Sequence, residues 1–241
     1  IDAYVIGDAR QLSLEAELLQ LGGSVAATYE DAKLESLLEQ LSSMGAAGLR
    51  RAFRSLFELQ SADRPWADAS LTALGFIRIL ELELNRRLLS PETRLRLADG
   101  LESRITERSR ETDGQTTAGD DKNWGRLIKA LRGGGDGLEL GSMQILFAKC
   151  SSLRGRDEPL KRYCLTELAL QLGPLAPESE EAFAQMARWI DDNVRDRFRN
   201  PGAHARYVSL KTAEECAAHV RKCLETLVQY TDSPSESLVV E

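Results

Sequence analysis

Between residues 188 and 206 the chain concentrates arginine: Arg188, Arg195, Arg197, Arg199 and Arg206 stand against Asp191, Asp192 and Asp196. A guanidinium presents a planar fork of donors that matches a phosphate. Four residues beyond Arg199 and Asn200 comes His204, the side chain type that both takes and gives protons near neutral pH. An arginine and a histidine suffice to cleave RNA without a metal. The base removes the 2′-hydroxyl proton, the oxygen attacks the adjacent phosphorus in line, and cations stabilise the crowded anion. The product end is a 2′,3′-cyclic phosphate, and DNA, lacking the 2′-hydroxyl, is inert to this route.

The backbone around these residues is also constrained. Pro201 cannot continue a helix without losing a hydrogen bond, and Asn200 before it is a good cap, so a break is expected near Asn200. With Pro201 in the first turn of a new helix, His204 falls near a helix N-terminus. There the dipole disfavours imidazolium, which suits a general base.

Arg199-Asn200-Pro201-Gly202-Ala203-His204 resembles the Arg-polar-spacer-His motif of the HEPN superfamily, with four residues between Arg and His. Upstream pieces are similar to the usual accompaniment of that motif: Leu80-Glu81-Leu82-Glu83-Leu84, Trp124-Gly125-Arg126-Leu127-Ile128 and Leu140-Gly141-Ser142. The resemblance spans about residues 66 to 230. It implies a compact helical bundle acting as a metal-independent endoribonuclease on single-stranded RNA, as a toxin or antiviral-defence effector. Two motifs meet across a homodimer interface, and an antitoxin or sensor protein is an implied partner. Residue by residue, it makes Arg199 the phosphate-binding group, His204 the proton carrier and Asn200 the group that orients them. The alternative within the same fold is a catalytically inactive interaction or nucleotide-binding module. One branch of the family carries a tyrosine two residues after the histidine; here Tyr207 stands three residues after His204.

The elements that must hold this stretch are helices. Apolar residues recur at three- and four-residue spacing, as in Leu12, Leu14, Leu18, Leu19 and Leu21, then Leu34, Leu37, Leu38 and Leu41. A further helix spans about Leu49 to Leu59 and ends before Ser61-Ala62-Asp63-Arg64-Pro65, read as a boundary. Beyond it, Asp68 or Ser70 caps a helix with Leu71, Leu74, Ile77, Ile79, Leu80, Leu82, Leu84 and Leu88, apolar around much of its girth and hence central. Ser90-Pro91-Glu92 starts the next, reaching about Arg108, and residues 109 to 123 read as a loop. A short helix through Trp124 closes at Gly133-Gly134-Gly135-Asp136-Gly137, which follows a helix and lacks a P-loop lysine, so it reads as a plain turn. Helices follow at about 138–150, 159–172 and 178–199. Thr212 with Glu215 has capping-box spacing for a last one over 213–230. The expected fold is all-α: an N-terminal helical segment over 1–65, a HEPN-like bundle over 66–232 and a flexible tail over 233–241.

Composition bounds the rest. The net charge of −7 argues against a protein that coats nucleic acid, although 24 of the 31 basic residues are arginine. Arg195, Arg197 and Arg206 flank the motif and are candidate RNA contacts; beside three aspartates they equally fit a solvated, salt-bridged face. Cys216, His219 and Cys223 share a helix face in zinc-like spacing, but no fourth ligand is evident and core packing fits them better. Trp66, Trp124 and Trp189 read as core anchors rather than base-stacking platforms. No metal or other cofactor is assigned. Four scattered cysteines indicate reduced thiols, and no run reaches the roughly 18 apolar residues of a membrane span, so the expectation is a cytoplasmic protein without a membrane partner. The start at Ile1 rather than Met reads as a processed form or a piece of a longer chain.

Overall fold

The computed structural model describes residues 25–62, 67–111, 118–133, 137–155, 157–200 and 207–231. Every regular element among them is helical. In chain order these are α1 (Val25–Gln40), α2 (Ser43–Ser61), α3 (Ser70–Leu88), α4 (Pro91–Glu111), α5 (Ala118–Arg132), α6 (Leu140–Cys150), α7 (Glu158–Ala169) and α8 (Ser179–Trp189). Then come a single turn, α9 (Asp192–Val194), a π-helical turn (Arg195–Arg199) and α10 (Leu210–Thr231). None of the helices is long and apolar enough to cross a membrane. The chain falls into two compact units, Ile1–Gln40 and Leu41–Glu241. The first holds α1; the second is an all-α bundle.

The apolar girth of α3 makes it the bundle's axis. Phe76, Ile77, Leu80, Leu84 and Leu88 on it are at most 1% exposed, each worth about 1.5–3 kcal/mol of burial. Around α3 pack α2, α10 and the π-helical turn, while α4 packs on α5 and α7, and α6 on α7 and α8. Phe53 of α2 meets Phe76 of α3 edge to face at 5.0 Å. Trp124 and Trp189 lie in the core, as their setting among leucines predicts, and the Trp124 indole N–H donates to Asp157 at 3.0 Å. Trp66 lies outside the described residues.

A buried carboxylate joins α2 to α3. Glu83 is fully buried and accepts from the Ser42 backbone N–H at 3.1 Å, from the Ser42 hydroxyl, and from Arg87 Nε at 3.3 Å. Ser42 in turn caps α2 by accepting from the Gly45 N–H at 2.8 Å. A β-carbon on Gly45 would lie 2.1 Å from Glu83 Oε1, so only glycine lets the two helices approach this closely.

This packing moves the boundary expected at 65/66. Helix α2 belongs to the bundle, and the polar stretch after Leu59 joins two helices of one unit instead of separating domains. Three other elements differ from their expected extents. The 178–199 helix breaks at Ile190–Asp191, where the Asp191 carboxylate accepts from the Val194 N–H at 3.0 Å and starts a new turn. The last helix begins at Leu210, earlier than 213, because Ser209 rather than Thr212 is its cap, accepting from the Thr212 N–H at 3.1 Å. The 109–123 loop shrinks, since α4 runs to Glu111 and α5 starts at Ala118; its residues 112–117 lie outside the description. Residues 232–241, expected as a tail, also lie outside it. At the glycine cluster, the Asn85 amide accepts from the Leu138 N–H at 2.6 Å and donates to the Leu138 carbonyl at 3.0 Å, over a Gly137 that leaves it room.

Removing one member of a buried, hydrogen-bonded charge cluster leaves the others desolvated and unpaired. Glu83→Ala is therefore expected to lower the unfolding free energy by about 3–5 kcal/mol, read from urea denaturation, and Glu83→Gln by clearly less. Equal midpoints for both variants and the parent would show that the clamp contributes nothing.

Candidate functional site

The arginine-rich segment is held by its apolar residue. Phe198 turns inward, only 4% exposed, and packs against the His219 imidazole of α10 with ring centres 6.0 Å apart. His219 Nε2 donates to the Trp189 carbonyl at 2.9 Å, tying α10 to the end of α8. Between these anchors the backbone takes one π-helical turn, closed by the Asn200 N–H donating to the Arg195 carbonyl. A π turn inserts an extra residue into a helix, re-aims the side chains after it, and is frequent at functional sites.

Asn200 keeps helical dihedrals (φ −64°, ψ −41°) after the π turn, and the break expected near it at Pro201 falls on 201–206, outside the described residues. Its side-chain amide donates to Asp196 at 2.7 Å. Asp196 is thus engaged by Asn200, and Arg199 makes no hydrogen bond or ion pair with any described residue. The guanidinium of Arg199 lies instead within electrostatic range of Glu81 on α3. Arg197 is ion-paired with Glu215 of α10. Arg195 lies against the first turn of α6, where a β-carbon on Gly141 would come within 2.7 Å of its Nη1. His204, Arg206 and the Pro201–Ala203 spacer lie outside the described residues. The next described residues are anchored again: the Ala69 N–H donates to the Val208 carbonyl at 2.9 Å, and the Val208 N–H to the Asp68 carboxylate at 3.1 Å. Asp68 also receives the Ser70 N–H at 3.0 Å, and these backbone donors, Val208 first, hold its carboxyl below the usual range.

Glu81 is the residue that sequence spacing did not connect to the motif. Burial raises its carboxyl above the usual range, and the nearby Glu139 carboxylate adds to this. Arg199, Arg78 and the Leu140 N–H at the start of α6 oppose the shift without cancelling it. An acid between two leucines of α3, in a piece already similar to the motif's usual accompaniment, was the available signal; its partner 118 positions away was not.

The zinc-like trio behaves as core. Burial pushes the Cys216 and Cys223 thiols up to about 12, which disfavours the thiolates a metal requires, and His219 is occupied by the Trp189 carbonyl. Among the described residues no group of three or more ligating side chains is placed to hold a metal.

Compared with protein-family models, curated proteins and solved structures, the chain matches none. The chemistry open to the site is therefore that of its own groups. Among the described residues Arg199 has no hydrogen-bonded counter-ion, and it lies near a carboxyl that burial raises above its usual range. Arg199 offers donors, and Glu81 does not repel a phosphate when protonated.

The raised Glu81 carboxyl has a signature in stability. In the unfolded chain it ionises near its ordinary 4.5, and in the fold at higher pH. Between the two the folded state holds the extra proton, so the stability it contributes is present below 4.5 and is lost as pH rises through the folded value. Glu81→Gln removes this term. Denaturation midpoints measured from pH 4 upward should fall more steeply in the parent than in Glu81→Gln; parallel profiles would contradict the shift.

Proposed function

We propose that the chain is a metal-independent endoribonuclease of toxin or defence-effector type, cutting single-stranded RNA through Arg199 and His204 at a homodimer interface. The observation that carries this reading is the state of Arg199. It stands on a π-helical turn directly before Asn200–Pro201, is not engaged by Asp196, and lies within electrostatic range of the buried Glu81 carboxyl. With no carboxylate at contact distance among the described residues, its guanidinium keeps its fork of donors for an anion.

In the proposed reaction Arg199 binds the non-bridging oxygens of the scissile phosphate. His204 accepts the 2′-hydroxyl proton, the 2′-oxygen forms a bond to phosphorus, and the bond to the 5′-oxygen breaks. That oxygen leaves with a proton from the histidine of the second copy. The ends are a 2′,3′-cyclic phosphate and a 5′-hydroxyl. Asn200, bonded to Asp196, fixes the turn that aims Arg199. Arg195 and Arg197 have prior engagements, with the start of α6 and with Glu215, so direct phosphate contact by Arg197 requires exchange of that ion pair.

The test is cleavage of a labelled unstructured RNA in excess EDTA by the parent, Arg199→Ala and His204→Ala. The parent is expected to give cyclic-phosphate ends, His204→Ala to lose about 10²–10⁴-fold in rate, and Arg199→Ala about 10²–10³-fold. A DNA of the same sequence should stay intact. Intact RNA with the parent turns the assignment to a non-catalytic interaction or nucleotide-binding module, and equal cutting by all three places the activity elsewhere.

A further inference from the structure

Helices α2 and α3 leave between them a groove of about 370 Å³, within the lower range of small-ligand sites. Its walls are aliphatic, from Met44, Leu71, Ile79 and Leu82, and its rim carries Arg51 and Arg78. Met44 is 71% and Leu71 76% exposed, so apolar surface is presented to solvent there without cover from a described residue. Among the described residues no carboxylate lines the groove, and Arg51 makes no ion pair, in a chain whose net charge is −7. An acidic protein that keeps two exposed arginines on the rim of one apolar groove, with no carboxylate in its lining, presents positive charge there.

The groove and the candidate site have Arg78 in common, on the groove's rim and within electrostatic range of Glu81. Arg78 precedes Glu81 by three residues and Leu82 by four on α3, so it shares a face with both. Leu82 belongs to the groove, and Glu81 faces Arg199, on the π-helical turn that packs against α3. Arg78 is thus the corner at which groove and site meet.

We propose that the α2/α3 groove is the track for the RNA strand flanking the scissile phosphate. Arg78 and Arg51 hold successive phosphates, and a base lies against Leu71 and Met44. This rests on the ribonuclease reading for its direction, while RNA binding by the groove is separable from cleavage. Aliphatic walls favour no particular base, so the track confers affinity and register without sequence preference.

The probe is a fluorescent 2′-O-methyl dodecauridine, which the proposed chemistry cannot cut, titrated by anisotropy at several salt concentrations. Arg51→Ala/Arg78→Ala should weaken binding about tenfold and lessen the slope of log K against log salt by about 1.4, the release of two phosphate contacts on a single strand. Lys122→Ala/Arg126→Ala, an equal loss of charge on the exposed face of α5, should change affinity less than twofold. Both arginines are exposed, so circular dichroism melts should coincide with the parent's. Equal losses in the two double variants, or no binding by the parent, overturn the track. So does binding of an acidic amphipathic helical peptide, but not of the RNA, through Arg51 and Arg78, which assigns the groove to a protein partner. Cleavage separates this from the ribonuclease reading. A parent that cuts while Arg51→Ala/Arg78→Ala keeps its KM sinks only the groove; a parent that binds through the groove and never cuts sinks only the nuclease.

Discussion

The fully buried carboxylate of Glu83 is the constraint around which this bundle is arranged. A charge without solvent must find its donors within the protein, and the donors it takes come from two helices: the backbone and hydroxyl of Ser42 at the start of α2, and Arg87 one turn along α3. Arg87 donates onward to Thr231 at 2.9 Å, at the end of α10. One desolvated anion thereby sets the relative positions of three helices, with a specificity that apolar packing alone does not supply. The close approach it demands explains Gly45. The cap it shares explains why α2 starts where it does.

Fixing α3 in this way has a consequence two residues earlier. Residues two apart on a helix point about 200° away from one another, so once Glu83 faces α2, Glu81 must face the other side. That side is occupied by the π-helical turn and the start of α6. The two acids of Leu80-Glu81-Leu82-Glu83-Leu84 therefore have opposite fates. Glu83 is satisfied by short hydrogen bonds and works structurally. Glu81 has one backbone donor, one neighbouring carboxylate and two arginines at longer range, which leave its carboxyl raised by burial.

How much of this was legible depends on the range of the interaction. Helical periodicity is local, and so α3 was readable as central from its leucines alone. Ser90-Pro91 was readable as a helix start, and the structure keeps both, with Ser90 Oγ accepting from the Thr93 N–H at 3.2 Å. Pro65 misled because proline marks the end of a helix and says nothing about whether the next helix packs on the last. The π turn was invisible since its residues, RDRFR, carry a single apolar position and no period to disturb. Arg199 and Asn200 stood out by type and spacing, but Glu81, the acid within electrostatic range of Arg199, reaches it only through tertiary packing.

The two ends of the 201–206 stretch are held by different means with a common result. On one side Phe198, packed on His219, fixes the turn that ends at Asn200; on the other, the Val208 carbonyl accepts from the Ala69 N–H and the Val208 N–H donates to the Asp68 carboxylate at the head of α3. Both anchors refer back to α3 and α10, the same pair that the Glu83–Arg87–Thr231 chain joins at its far end. Asn200 and Val208 are thus held on the same frame that carries Glu81 and Arg78. The π turn is an irregular step in that frame. Straightening it to ordinary α geometry shifts every following side chain by about 100° around the axis, which turns Arg199 away from Glu81. The aim of the arginine is therefore encoded in the buried ring of Phe198, which holds the turn open, as much as in the arginine itself.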